Sequence, residues 1–292
     1  MDGKSLSYFL AVARQQSFTR AAEQLGIAQP AVSVAIRKLE QQLEVQLFHR
    51  HERQVSLTDE GRYLLKHAQR IVQALAEARL EMAELKGLTK GEVRVGIPSM
   101  LGSYYFPPIL MAFKHRYPHL NLVVIEAGTW QLQQMIEQGE LDLGVIVAEF
   151  VPEHLQAEVF LREQMLVTLG PEHPLASHSQ ISLTDFFAEE LVMFKQGYFH
   201  RKVVDRLAQA GGYQPQISFE TNLLPLIKAI VKQGFGISTL LQMAVADEPE
   251  ILTRPFADPV WLDLSLAWRR GAYLSRANQA FVDFVLESRR LT

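Results

Sequence analysis

A compact row of polar side chains, Ser33, Arg37 and Lys38, shares one face of a helical stretch with Val34, while Val32, Ile36, Leu39 and Leu43 line the other face. Such a row can bond to base edges and phosphates in a DNA groove, and it can equally be the wet side of an ordinary helical hairpin. Covalent chemistry finds less support. The chain has no Walker-type phosphate loop, no nucleophile elbow and no dinucleotide-binding glycine run. His115 and His119 stand four apart, but Pro118 between them argues against one helical face and so against a metal pair. Glu140 and Asp142 flank Leu141, and a turn into a half-buried strand explains them better than acid–base work does. With no cysteine there is neither a disulfide nor a thiolate metal site, and no thiol to sense oxidants. No cofactor and no metal are expected, and an enzyme is the competing class without a motif.

The row is positioned by its neighbours. Phe18, Ala21, Ala22 and Leu25 recur at helical spacing, Ser17 or Thr19 can cap that helix, and Gly26 supplies a left-handed residue to end it. Gln29 then precedes Pro30, which suits a first helical turn because only an orphan donor is lost. The methyl-sized Ala21 and Ala22 let the two helices approach closely. Upstream, Leu6, Phe9, Leu10 and Ala13 mark a first helix of three; downstream, 47–50 and 54–57 read as two short strands around a charged tip, a wing. From Thr58 a long helix opens with Asp59 and Glu60 in its first turn and Gly87 near its end. Along it Leu64, Ala68, Ile71, Leu75, Ala78, Met82 and Leu85 repeat in steps of four and three, a heptad seam about 42 Å long that calls for a second copy of the chain. The other reading lays this helix on its own C-terminal domain. A paired seam would present two recognition helices to an inverted repeat.

Taken together, Ser17-Phe18-Thr19-Arg20-Ala21-Ala22, Gln29-Pro30-Ala31-Val32-Ser33, Leu39-Glu40, Leu47-Phe48, Arg50 and Leu57-Thr58-Asp59-Glu60-Gly61 are similar to the N-terminal signature of LysR-type transcriptional regulators. The resemblance implies an α+β multi-domain chain: a winged helix-turn-helix over 1–58, a linker helix over 59–88, and a two-lobed α/β effector-binding region over 91–292 like periplasmic solute-binding proteins of type 2. It implies major-groove contacts at Gln29, Pro30, Ser33 and Arg37, phosphate contacts near Ser17, Thr19 and Arg20, and wing contacts at Arg50 and Arg53. Val34 and Lys38 join them from the polar face. Many members carry an arginine or another polar residue directly after the recognition serine; here Val34 and Ala35 follow, which shifts that spot toward thymine methyl groups. The implied partners are double-stranded DNA, a small-molecule effector, further copies of the chain as a dimer or dimer of dimers, and RNA polymerase.

Residues 91–292 alternate β-rich and helical runs, which reads as α/β with mostly parallel sheets. Strands are expected at 93–97, 122–125, 141–147, 165–169, 191–194, 216–219 and 236–240, with helices at 131–138, 199–210 and 223–232. A return strand at 261–268 and a closing helix at 277–289 complete it. Crossovers near Phe160 and Ala267 would hinge a first lobe (about 91–161 and 267–292) on a second (about 162–266). Helix mouths at Ser99-Met100, Thr129 and Thr221-Asn222 suit an anion between the lobes, although any one of them is also a plain N-cap. The resemblance places effector contacts at Ser99, Met100 and Thr129 and in the segment holding Phe199 and His200; Asn222 joins them as a helix mouth. Lys195, His200, Arg201 and Lys202 are candidate counter-charges, and Trp130, Tyr198 and Phe199 suit a partly apolar carboxylate or belong to the core.

Charge follows the same division. Residues 1–58 hold seven Lys or Arg against five Asp or Glu, a formal +2, so the chain's −3 leaves −5 for the remainder. At 292 residues and 48% hydrophobic there is core enough for several domains, and no apolar run reaches about 18 residues. A cytoplasmic location is expected. A free-standing solute-binding protein is the third class, opposed by the N-terminal module and the lack of an export signal.

Overall fold

A computed structural model describes residues 1–51, 54–85 and 91–288. It divides into two compact units, Met1–Leu88 and Thr89–Thr292, each treated by itself.

In the first unit, α1 (Gly3–Gln15), α2 (Phe18–Leu25) and α3 (Gln29–Leu43) enclose Leu6, Phe9, Val12, Ala21, Ala22, Val32, Ile36 and Leu39, all buried. Of the two cap candidates Ser17 does the work: its hydroxyl accepts the Arg20 N–H at 3.3 Å. Gly26 closes α2 at φ +65°, and Pro30 sits in the first turn of α3. β1 (Phe48–His51) pairs antiparallel with β2 (Gln54–Leu57), Phe48 opposite Leu57. Glu40 accepts the Leu47 N–H at 3.0 Å and so ties α3 to the start of the wing.

α4 (Asp59–Leu85) begins with Asp59 and Glu60 in its first turn. Its start is locked by Thr58, whose hydroxyl donates to the Gln46 carbonyl at 2.6 Å and accepts the Gly61 N–H at 3.0 Å. Gly61 lies so close to the Leu47 carbonyl that a Cβ would meet that oxygen at 2.2 Å, which no side chain could tolerate. The expected seam splits: Ala68 is wholly buried and Leu64 packs beside it against the winged core, because α4 lies along α1, whereas Ile71, Leu75, Ala78 and Met82 stay exposed. The Leu85 side chain and Gly87 lie outside the described residues.

The second unit is built on a seven-stranded sheet in the order β10-β6-β11-β5-β3-β4, with β9 also paired to β6. Its elements are β3 (Glu92–Ile97), α5 (Ser99–Tyr104), α6 (Phe106–Arg116), β4 (Asn121–Glu126), α7 (Thr129–Glu137), β5 (Leu143–Val147), β6 (Leu155–Leu169), α8 (Leu183–Ala188), β7 (Glu190–Met193), α9 (Phe199–Gly211), β8 (Gln216–Glu220), α10 (Leu224–Lys232), β9 (Ser238–Leu241), β10 (Leu252–Arg254), β11 (Val260–Arg269) and α11 (Arg276–Ser288). The expectation of mostly parallel sheets is corrected. β3 pairs parallel with β4 and β5, and β7 with β8, but β6 pairs antiparallel with β9, β10 and β11, and β11 with β5. The reason is β6 itself, one 15-residue strand where a crossover and a short strand were expected. We call the group around β3–β5 the first lobe and the group around β7–β10 the second.

β6 and β11 run through both lobes. Their register shifts where Leu264 faces Leu161 and Ser265 faces Val159, so Phe160 is the extra residue of a bulge. Where hinge crossovers were expected near Phe160 and Ala267, the structure has a bulge at Phe160 on one continuous strand and a register shift at Leu264–Ser265 on the other. Tyr105 and Phe106 pack on the Phe160 ring at centroid distances of 5.4 and 5.6 Å. α11 closes the first lobe through Phe281 and Phe284, both on Phe113 of α6. Asp142 precedes β5 and accepts the Arg94 N–H at 3.0 Å, while burial raises its pKa, so this acid joins strands. His119 falls beyond the end of α6.

Candidate functional site

Two surfaces collect the chemistry-bearing residues, one in each unit. On α3, Gln29, Pro30, Ala31, Val34, Arg37 and Lys38 are exposed, and Ser33 is half-buried among them. They share a face because Val32, Ile36 and Leu39 hold the opposite stripe in the core. The Gln29 amide donates to the Ser33 hydroxyl at 2.8 Å, which fixes both side chains relative to the helix. Thr19 and Arg20 are exposed at the opening of α2 beside the cap Ser17. The Arg50 side chain and all of Arg53 lie outside the described residues.

In the second unit a cleft of about 490 Å³ opens between the lobes. Thr129, Trp130 and Gln133 of α7 form one wall, and Gln196, Tyr198 and Phe199 face them. The chain spans this cleft with its own groups. The Gly197 carbonyl accepts from the Trp130 N–H at 3.3 Å and from the Thr129 hydroxyl at 3.5 Å. The Tyr198 hydroxyl donates to Glu126 at 2.8 Å, and burial together with that carboxylate pushes its pKa up to about 12. Ser99 lies beside the same phenol and pulls its pKa the other way. Gly128 makes the approach possible, since a Cβ there would stand 2.7 Å from the Gly197 carbonyl oxygen.

Ion pairs frame the second wall. Arg201 is bound by Asp205 at 2.8 Å and by Glu220. Burial opposes its charge, but the two carboxylates outweigh it and raise its pKa. Arg206 reaches across to Glu149. At another point between the lobes the buried Lys228 donates to the Tyr104 hydroxyl at 2.7 Å and to Glu248 at 3.0 Å. Among the described residues no His, Asp and Glu side chains cluster as a metal site, and no helix is long and apolar enough to cross a membrane.

The model of the bacterial regulatory helix-turn-helix protein, lysR family, matches residues 4–62, and that of the LysR substrate binding domain matches residues 86–290. The chain belongs to the LysR family. The RuBisCO operon transcriptional regulator of Allochromatium vinosum is 33% identical over 97% of this chain and 95% of its own. A full-length OxyR variant from Pseudomonas aeruginosa superposes with a TM-score of 0.73 at 26% identity, covering all of this chain and 95% of that one. Full-length CbnR in complex with its target DNA superposes with a TM-score of 0.65 at 20% identity, over 99% of this chain and all of that one, and shares the fold. The protein is therefore a LysR-type DNA-binding transcriptional regulator with an effector-binding domain.

Within this LysR-type regulator the expected effector residues separate. Thr129 and Phe199 line the cleft, and Ser99 borders it through Tyr198. Three others stand outside the residues that line it. Met100 is 2% exposed and packed in the core. His200 is buried with both ring nitrogens unpartnered, its ring stacked on Phe194 at 4.7 Å and against Phe199 at 3.9 Å, and burial pushes its pKa down to about 3, so it is no counter-charge. Asn222 accepts the Lys195 N–H at 3.0 Å while Thr221 accepts the Leu223 N–H at 3.1 Å, so Asn222 ties the Lys195 backbone to this helix mouth and no side chain caps α10. Sequence reasoning missed Glu126, Gln133, Gln196 and Asp205. Only the Arg201–Asp205 spacing of four on a helix carried a local signal.

Proposed function

We propose that two copies of this LysR-type regulator pair along Ile71, Leu75, Ala78 and Met82 and set their α3 helices in successive major grooves of an inverted repeat. Leu64 and Ala68 support the helix from within. Gln29, Pro30, Ser33, Val34 and Arg37 read bases, while Ser17, Thr19, Arg20, Lys38, Arg50 and Arg53 hold phosphates. The effector lobes pair in turn to give a dimer of dimers, and the assembly alters recruitment of RNA polymerase in the cytoplasm. No covalent step is involved.

The observation that carries the effector half of this reading is the bond from Trp130 and Thr129 to the Gly197 carbonyl. Two donors at the N-terminus of a nine-residue helix suit an anion better than a neutral carbonyl. A small metabolite carrying a carboxylate or phosphate competes with Gly197 for them, and the apolar Trp130 and Phe199 take the rest of it. Displacing the carbonyl frees the second lobe to turn at Phe160, and the change in lobe arrangement moves the DNA-binding heads.

Fragments of the host genome selected on the purified full-length protein, followed by a thermal-shift screen of anionic metabolites, test both halves. Expected are an inverted repeat, a dimeric or tetrameric species, and a compound that raises Tm and alters the footprint. A strictly monomeric protein with no sequence preference at low salt would overturn the reading.

A further inference from the structure

Val34 is 52% exposed, and among the described residues of α1–α3 and the wing it is the one large apolar side chain left in solvent. Nothing in the fold accounts for it. Its neighbours in the core, Val32 and Ile36, are fully buried on the other side of the helix, and a β-branched residue on an open helical surface weakens the helix it occupies. One turn earlier Pro30 and Ala31 are also exposed, so an apolar strip runs along the first half of α3, with Arg37 and Lys38 exposed one turn later.

Two of the polar groups beside this strip are engaged with each other, the Gln29 amide donating to Ser33 at 2.8 Å. A surface that is cationic at one end and apolar at the other fits one feature of duplex DNA. In the major groove the only apolar group on a natural base edge is the C5-methyl of thymine; adenine, guanine and cytosine offer donors, acceptors or bare ring edges. Resting on the reading that α3 enters the major groove, we infer that Val34 reads the C5-methyl of one thymine in each half-site. Pro30 and Ala31 extend the apolar wall beside it. The side chain selects by van der Waals fit alone, so cytosine at that position loses the contact and 5-methylcytosine restores it.

The test removes single methyl groups. Full-length protein first selects duplexes from a random pool, and the preferred duplex is then remade with deoxyuridine in place of each thymidine in turn, in both half-sites. At one position per half-site the substitution should weaken wild-type binding about fourfold, the weight of one buried methyl, and about fifteenfold when both half-sites lack it. Val34→Ala and Val34→Ser should bind the thymidine and deoxyuridine duplexes equally at that position while still losing affinity for both when Arg37 is removed. Deoxyuridine losses that are absent everywhere, or the same in wild type and Val34→Ala, would overturn the methyl contact and leave the DNA reading intact. A pool that yields no preferred sequence would remove the DNA reading and the methyl contact together.

Discussion

The two binding surfaces are built in opposite ways. The α3 face stands on one helix whose buried stripe is held by neighbours close in sequence, and among the described residues the one bond within its outward row is Gln29–Ser33. The cleft draws on segments as much as 72 residues apart, and its donors and acceptors already satisfy one another across the lobes. A surface of the first kind is pre-organised and reads a rigid ligand such as a groove. A surface of the second kind has two sets of partners for the same groups, the condition for a switch.

The contrast breaks most visibly at Gly61. A Cβ there meets the Leu47 carbonyl oxygen at 2.2 Å, a backbone atom that cannot swing aside, and the Leu57 side chain at 3.0 Å. Gly61→Ala should cost about 3 kcal/mol in the first unit, read as a fall in Tm with loss of DNA binding. Unchanged Tm would show that α4 and the wing are loosely joined. Arg37→Ala should lower affinity for a selected operator by about 30-fold and for random duplex far less, as expected of a side chain reading bases. Equal losses on every sequence would reassign it to phosphate.

His200 probes how fixed the second wall of the cleft is. Its folded pKa lies at about 3 against an ordinary 6.5, so between those values the unfolded chain binds a proton that the folded one refuses. Stability therefore falls as pH drops below about 6.5, by about 2 kcal/mol at pH 5. In His200→Leu that part of the slope should vanish, and the loss of two unpartnered nitrogens should leave stability at pH 7 equal or higher. Denaturant midpoints across pH 4.5–7.5 read both, and an unchanged slope would mean that the ring protonates in place.

Legibility in the sequence followed the same divide. The helices of the first unit could be read because their determinants are local: Ser17 caps three residues on, Gly26 ends a helix at its own position, and Ile36 and Leu39 keep one period. The split of the seam was not legible, since whether Ala68 or Leu75 faces a core depends on where α1 lies. In the second unit the strands near β3, β4 and β7–β9 declared themselves by composition, but β6 did not. Its first half alternates exposed and half-buried residues through Arg162 and Glu163, and only pairing with β11 makes that half one strand with the apolar end. That Asn222 and His200 stand outside the cleft lining was not legible for a related reason. A polar side chain advertises what it can bond, while its partner, Lys195 for one and none for the other, is chosen by the tertiary fold.

The bonds across the cleft allow the finest test, because two variants disturb them by different means. Tyr198→Phe deletes the bond to Glu126 but leaves the Gly197 carbonyl on Trp130 and Thr129. Gly128→Ala keeps the phenol but sets a methyl 2.7 Å from that carbonyl oxygen, with a lesser contact of 3.2 Å to the Tyr198 ring, and since Gly128 sits at φ −67° alanine meets no backbone strain of its own. Each should destabilise the effector-free second unit by about 1 kcal/mol. If an anion displaces Gly197, Gly128→Ala has already done part of that work, so its affinity for an effector found by thermal shift should rise about fivefold, while Tyr198→Phe should gain less. Amide exchange at Trp130 separates the two directly, speeding in Gly128→Ala and holding in Tyr198→Phe. If both variants bound effector as wild type does, the Gly197 bond would be a fixed part of the wall, and the opposition between a preformed groove reader and a self-occupied sensor would fall.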